Sequence, residues 1–407
     1  MRMLIYFISV ILFVTGCKKD NPPVYTPPAI TTVNISTDKA SYKPGETVTF
    51  TIDRVIPPTM KVRYRKLDEK LDEISPEGKS WTWQPPTDDF TGYLVDLYEV
   101  VDGKEKIYSS IAVDVSSNWT RFPRYGFLSS YPQLTSDETE QVISNLNRYH
   151  INGLQFYDWQ YEHHHPLAGT PANPRSEWKD IANRDIYLNT LKQYIEEAHS
   201  HNMNAMFYNL AYGALQNAEN DGIEASWYMY TDQNHGNRDV FYLPDPPFKS
   251  NIYLMDPANT HWQQYIAGAN KDVYDVMDFD GYHIDQLGNR NKSLYTYTGE
   301  QISLNKTFEP FIERMKNESP DKRLVMNAVN QYAQQEIAAS PVDFLYTEVW
   351  GPNDEYKDLA QIILDNNALS NGTKQTVLAA YMDYDLANSA GYFNTPGVLL
   401  TDAVIFA

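Results

Sequence analysis

From residue 121 onward the chain repeats one unit. A short apolar run is followed by a stretch with apolar residues at helical spacing, and then by the next apolar run. The apolar runs are RYGFLSSY, GLQFYDWQ, MNAMFYNLAYGA, FDGYHIDQLG, RLVMNAVN, DFLYTEVW and KQTVLAAYMDYD. The helical stretches include LTSDETEQVISNLNRYH, with Thr135 or Ser136 as its N-cap, RDIYLNTLKQYIEEAHSHN, THWQQYIAGANKDVYDVM, ISLNKTFEPFIERMKNES and EYKDLAQIILDNNAL. A short helix is read over residues 331–338, and long loops follow the second and third apolar runs. Strands that are apolar nearly throughout are buried on both faces, the pattern of a parallel sheet covered by helices. Seven such units predict a (β/α)8 TIM-type barrel over residues 118–407. GVLLTDAVIFA reads as the seventh helix and no eighth strand follows, so the expectation is a barrel truncated before its last strand.

Residues 30–117 have a different texture. Apolar and polar residues alternate at period two in TTVNISTDK, TVTFTID, MKVRYRKL, WTWQP, GYLVDLYEV and KIYSSIAVDV, with turn signals KPGE, IPP, PEGK, QPP and VDGK between them. Six short strands of this kind predict an immunoglobulin-like β-sandwich, serving as a spacer or scaffold. SYKPGETVTF resembles the opening of bacterial accessory sandwiches.

The N-terminus, MRMLIYFISVILFVTGC, has Arg2, an apolar run from Met3 to Val14, and then Thr15, Gly16 and Cys17. The run is short for a bilayer span and has the layout of a signal peptide. Val14-Thr15-Gly16-Cys17 resembles a bacterial lipobox, which predicts a lipoprotein signal peptide over residues 1–17, cleavage before Cys17, and lipidation of its thiol. Cys17 is the one cysteine in the sequence, so no disulfide is expected in the mature fold. Residues 18–29 read as a Pro-rich tether. The predicted location is the bacterial cell envelope, as an outer-membrane or surface lipoprotein held to the membrane by its lipid anchor only.

The formal net charge is −20, which argues against nucleic acid and against anionic polysaccharides as partners. A neutral ligand fits better. The 31 Tyr and 8 Trp suit either a large core or a sugar cleft, where a ring face stacks on the C–H face of a pyranose.

In a parallel βα architecture the chemistry sits at the carboxyl ends of the strands. Asp285 ends the fourth apolar run and Glu348 the sixth; Asp158 ends the second, and Asp383 and Asp385 the seventh. Such a carboxylate can simply cap a helix or pair with an Arg. Asp285 and Glu348, however, follow strongly apolar strands and have no basic neighbour in sequence. Two facing carboxyl groups are what glycosidic cleavage needs: one ionised to attack the sugar, the other protonated to donate to the leaving oxygen. Glu348, between Tyr346 and Trp350, is the candidate for the protonated partner.

RYGFLSSYP, INGLQFYDWQYEHHHPL, FDGYHIDQLG and FLYTEVW, in this order, resemble glycoside hydrolase family 66, the endo-dextranases and cycloisomaltooligosaccharide glucanotransferases. The resemblance covers about residues 120–407 and the preceding sandwich. It implies a retaining mechanism on α-1,6-glucan, with Asp285 as nucleophile and Glu348 as acid/base, no cofactor, and dextran or isomaltooligosaccharides as partner. Two departures stand out. The family's C-terminal β domain does not follow the barrel here, and there is no room for the carbohydrate-binding module that the transferases insert, which favours hydrolysis over cyclisation. A non-catalytic glycan-binding lipoprotein is the rival class.

Tyr157, Asp158, Trp159, His164, His283, Asn327 and Trp350 are the expected substrate-binding residues around the cleaved bond. The run His163-His164-His165 is not expected to hold a metal, because consecutive residues cannot all face one ion and HxxxH spacing is absent. The expectation is that one of them, His164, bonds a glucose hydroxyl. In DPPFKSNIYLMDP the carboxylates are too sparse for a calcium loop.

Overall fold

The computed structural model describes residues 33–353, 355–382 and 394–406. The expected signal peptide, the tether and Cys17 lie outside the described residues, as do Asp383 and Asp385.

The N-terminal part is built from antiparallel strands: β1 (Ile35–Thr37), β2 (Val48–Ile52), β3 (Lys61–Lys66), β4 (Glu69–Ile74), β5 (Ser80–Trp83), β6 (Thr91–Val101) and β7 (Lys104–Val115). They form two sheets, in the orders β1-β2-β5 and β4-β3-β6-β7. Alternation decides which side chains turn inward. Val48, Phe50 and Ile52 are buried while Thr51 is exposed. These residues join Val62, Tyr64, Trp81, Val95, Leu97 and Val113 in one apolar core. Phe50 stacks on Trp81 at 5.3 Å, and the Trp81 indole N–H donates to the Tyr64 hydroxyl at 2.9 Å, so a buried donor is satisfied. β4 was not among the six expected strands. EKLDEI has no fully buried residue and pairs along one side only, so its sequence carries almost no apolar signal.

From β8 (Tyr125–Leu128) the chain alternates as expected. The elements are α1 (Ser136–Asn147), β9 (Gly153–Phe156), α2 (Leu188–Ser200), β10 (Asn204–Leu210), α3 (Thr260–Val276), β11 (Gly281–Asp285), α4 (Phe308–Glu318), β12 (Arg323–Met326), α5 (Gln334–Ala339), β13 (Leu345–Val349), α6 (Tyr356–Leu369), β14 (Thr376–Ala380) and α7 (Thr395–Phe406). β12-β11-β10-β9-β8 form one sheet, parallel at every pairing, and β13 pairs with β14, also parallel. Among the described residues a bridge, Asn327 to Tyr346, links the two groups. Thr135 caps α1: its hydroxyl accepts from the Glu138 N–H, and the Glu138 carboxylate accepts from the Thr135 N–H in return. α2 begins later than the sequence suggests, because Asp185–Tyr187 pairs with Glu177–Lys179 as a hairpin.

One face of these strands turns inward on itself. At their amino ends Trp119, Met206, Val325, Phe344 and Tyr346 pack together, with Tyr125, Val377 and Ala379 against them, so side chains from β8, β10, β12, β13 and β14 meet. Close approach is required there. A Cβ on Gly153 would lie 2.3 Å from the Trp119 ring, and one on Gly281 would lie 2.2 Å from the Arg323 carbonyl oxygen. This apolar plug fills the amino end and leaves the carboxyl end open.

Candidate active site

Two residues further along each strand, the same inward face changes character. Period-two alternation puts Phe127 beyond Tyr125, Tyr157 beyond Gln155, Tyr208 beyond Met206, Asp285 beyond His283, Asn327 beyond Val325 and Glu348 beyond Tyr346. Phe127, Gln155, Tyr157, Tyr208, His283, Asp285, Asn327, Tyr346, Glu348 and Tyr381 line one cavity of about 170 Å³. The strands therefore deliver two carboxylates and a ring of aromatic and amide groups to one opening.

Asn327 ties the two acids together. Its Nδ2 donates to Asp285 Oδ1 at 2.8 Å and to Glu348 Oε2 at 2.9 Å. Its Oδ1 accepts from the Glu348 backbone N–H at 3.2 Å, which fixes which end of the amide faces the acids. Those two bonds keep the acceptor oxygens within about 6 Å of each other, nearer the retaining separation of about 5–5.5 Å than the inverting one of about 6.5–9.5 Å.

The Tyr208 hydroxyl donates to the other Asp285 oxygen, Oδ2, at 2.9 Å. Burial and the facing Glu348 carboxylate push Asp285 up to about 7, against the pull of Asn327, the Gln286 backbone N–H and Tyr208. Asp285 therefore titrates near neutrality. Hydrogen bonding sorts the roles. Asp285 is met by three donors that favour its ionised form against burial, whereas among the described residues Glu348 meets the Asn327 amide. The arrangement can hold one carboxylate ionised against a bound electrophile and one carboxyl poised to give up a proton.

The expected substrate-binding residues divide. Tyr157, His283 and Asn327 line the cavity with the two acids. Trp350 is 36% exposed and stacks on Tyr381 at 4.1 Å, so it stands at the rim behind a lining ring. Trp159 is a correction. It is 0% exposed, packs on Trp178, Phe207 and Phe279, and donates its indole N–H to the Tyr208 carbonyl at 3.1 Å. It faces the core because it lies two positions beyond Tyr157 across a left-handed Asp158 (φ 49°), which breaks the strand's alternation. Asp158 itself pairs with Arg184 at 2.9 Å, outside the cavity lining. Burial raises it to about 6 in spite of that partner.

His164 is the second correction. It is 0% exposed and clips two loop segments together, its Nε2 lying 3.0 Å from Asp221 Oδ2 and 3.3 Å from Glu162 Oε2. Glu162, His164 and Asp221 are ligand-type groups close enough to share a cation. However, the Leu215 backbone N–H donates to His164 Nδ1 at 3.3 Å. That leaves the ring proton on Nε2, facing the carboxylates, and makes the cluster a hydrogen-bonded clip.

Phe127, Gln155, Tyr208, Tyr346 and Tyr381 complete the lining and were not among the expected contacts. Gln155 and Tyr346 lie two residues before the candidates Tyr157 and Glu348, on the same strand face. Tyr208 had no such signal, because its strand ends without a carboxylate.

A family profile described as Glycosyl hydrolase family 66 matches residues 37–407. The chain belongs to this family. A cycloisomaltooligosaccharide glucanotransferase of Niallia circulans is 35% identical over 325 residues, covering 77% of this chain and 32% of the relative. A dextranase of Streptococcus salivarius is 29% identical over 282 residues, covering 64% of this chain and 33% of the relative. The crystal structure of a Paenibacillus sp. cycloisomaltooligosaccharide glucanotransferase complexed with cycloisomaltoheptaose superposes with TM-score 0.79 at 33% identity. That match covers 86% of this chain and 53% of the other. The chain thus spans about a third of the length of these curated relatives.

Proposed function

We propose that this family 66 chain cleaves the α-1,6-glucosidic bonds of dextran internally, with retention of configuration. Asp285 attacks the anomeric carbon to form a glycosyl ester while Glu348 protonates the departing oxygen. Glu348 then takes a proton from water, and the water displaces Asp285. The carrying observation is the Asn327 amide that binds both carboxylates at once, at a separation suited to double displacement. Tyr157, His283, Asn327 and, at the rim, Trp350 are the proposed sugar contacts. The name of the Streptococcus salivarius relative supports dextran as substrate.

A cyclising transfer is the second reading, favoured by the names of the glucanotransferase relatives. The first half-reaction is the same, and the acceptor becomes a sugar hydroxyl of the same chain. Release of reducing ends from dextran, but not from starch or cellulose, supports hydrolysis; cyclic products without new reducing ends support transfer. Binding of dextran without either leaves a glycan-binding module and defeats both.

We further propose that residues 118–407 belong to a (β/α)8 barrel and residues 30–117 to an immunoglobulin-like sandwich. The inward-meeting side chains of β8, β10, β12, β13 and β14 support the first, and the two antiparallel sheets around one core support the second. No helix among the described residues is long and apolar enough to cross a membrane. From the lipobox we propose anchoring to the bacterial cell envelope through Cys17. Incorporation of labelled palmitate that persists in Cys17→Ala contradicts this.

A further inference from the structure

His283 lines the cavity with one ring nitrogen already engaged. Its Nδ1 lies 3.2 Å from the Tyr125 hydroxyl. The two rings are nearly parallel, with centroids 5.8 Å apart, and Tyr346 packs edge-on at 4.8 Å. The hydroxyl proton of Tyr125 needs an acceptor, and His283 Nδ1 is the one it meets among the described residues. Burial holds the phenol protonated, well above its ordinary range. A hydroxyl that donates to Nδ1 leaves the ring proton on Nε2.

Burial also holds the imidazole neutral, with its pKa lowered to about 3. Ionisable groups surround it: Tyr125 from β8, Tyr157 after β9, Tyr208 from β10, Tyr346 and Glu348 from β13, and Asp285 on its own strand. Although Asp285 and Glu348 line the same cavity, desolvation of a side chain that is 1% exposed is what holds the ring neutral. Nε2 has no protein partner among the described residues, and the side chain borders the cavity two positions before Asp285, on the same face of β11.

We propose that Tyr125 is a positioning residue that locks His283 in its Nε2–H tautomer, so that a neutral imidazole donates a hydrogen bond to an oxygen of the sugar bound beside Asp285. The tautomer lock stands on the geometry alone; the sugar as acceptor rests on the glucanase reading. The lock has a chemical purpose. A charged histidine at this place would pair with Asp285 and weaken it as a nucleophile. A ring free to exchange tautomers would present a lone pair to the sugar for part of the time. A neutral, fixed N–H recognises a hydroxyl or ether oxygen without either cost.

The test is ¹⁵N NMR of the chain labelled at histidine, with the His283 signals assigned by their loss in His283→Gln. The expected result is a neutral Nε2–H pattern unchanged from pH 5 to 8. In Tyr125→Phe, Nδ1–H becomes populated and kcat/KM on dextran falls about tenfold, the worth of one oriented hydrogen bond. A wild-type ring that is Nδ1–H or charged overturns the lock, and this readout stands even where Tyr125→Phe does not fold. A tautomer that is the same in both proteins overturns the role of Tyr125. A tautomer that changes with no effect on dextran cleavage overturns the sugar contact. Wild-type protein that cleaves no dextran defeats the glucanase reading, and the spectra still decide the lock.

Discussion

At the scale of single residues, the site turns on how one buried carboxyl is kept usable. Burial and the facing Glu348 push the Asp285 carboxyl up from the usual carboxylate range to about 7. The folded chain therefore binds a proton that the unfolded chain releases between roughly pH 4 and 7, and stability falls as pH rises through that window. Asp285→Asn should abolish dextran cleavage and yet raise the melting temperature by several degrees at pH 8, with little change at pH 4. Thermal melts at the two pH values check this; equal or lower stability at pH 8 counts against it. Activity carries the opposite sign. Protonating the nucleophile ends attack, so kcat/KM should fall as pH drops through about 7. Removing the neighbouring charge in Glu348→Gln lowers the Asp285 pKa. With a substrate whose leaving group needs no protonation, the acid limb of that variant should therefore move to lower pH. Tyr208→Phe removes one of the donors to Asp285 and should lower kcat about tenfold with KM little changed, which steady-state kinetics read directly. Asp285 and Glu348 were legible in sequence because each closes an apolar strand. Tyr208 was hidden because it acts on a carboxylate carried by the neighbouring strand.

At the scale of elements, alternation explains both what was read and what was missed. The seven parallel strands were visible because their apolar runs are nearly unbroken. β4 was invisible because an edge strand that turns only Leu71 and Ile74 toward the core carries little apolar alternation. Trp159 is expected in the cleft because it lies near a strand end, but the left-handed turn at Asp158 puts the indole into the core. Trp159→Ala should then cost about 3–5 kcal/mol of stability, read by denaturant unfolding. The KM of the folded fraction should remain near wild type; a large KM change with stability intact restores the sugar-contact reading. His164 was misplaced for a related reason. Its clip to Glu162 and Asp221 joins segments some 57 positions apart, which no local pattern records.

At the scale of the whole molecule, the charge of −20 and the uncharged nature of the proposed substrate belong together. Steering by charge has nothing to act on in a neutral glucan, so KM for dextran should be flat between about 0.05 and 0.5 M salt. The apolar plug at the amino end and the open carboxyl end give these strands one working face, which Phe127, Tyr157, Tyr208, Asp285, Asn327 and Glu348 reach by the same two-residue step. The central claim is that Asp285 and Glu348 act there as a retaining pair. It is tested most directly by following the anomeric proton signals of newly formed reducing ends during dextran cleavage. The account predicts α-anomeric ends first, with the β-anomer rising only by mutarotation, and loss of both in Glu348→Gln. β-anomeric ends first, or cleavage untouched by that substitution, would contradict it.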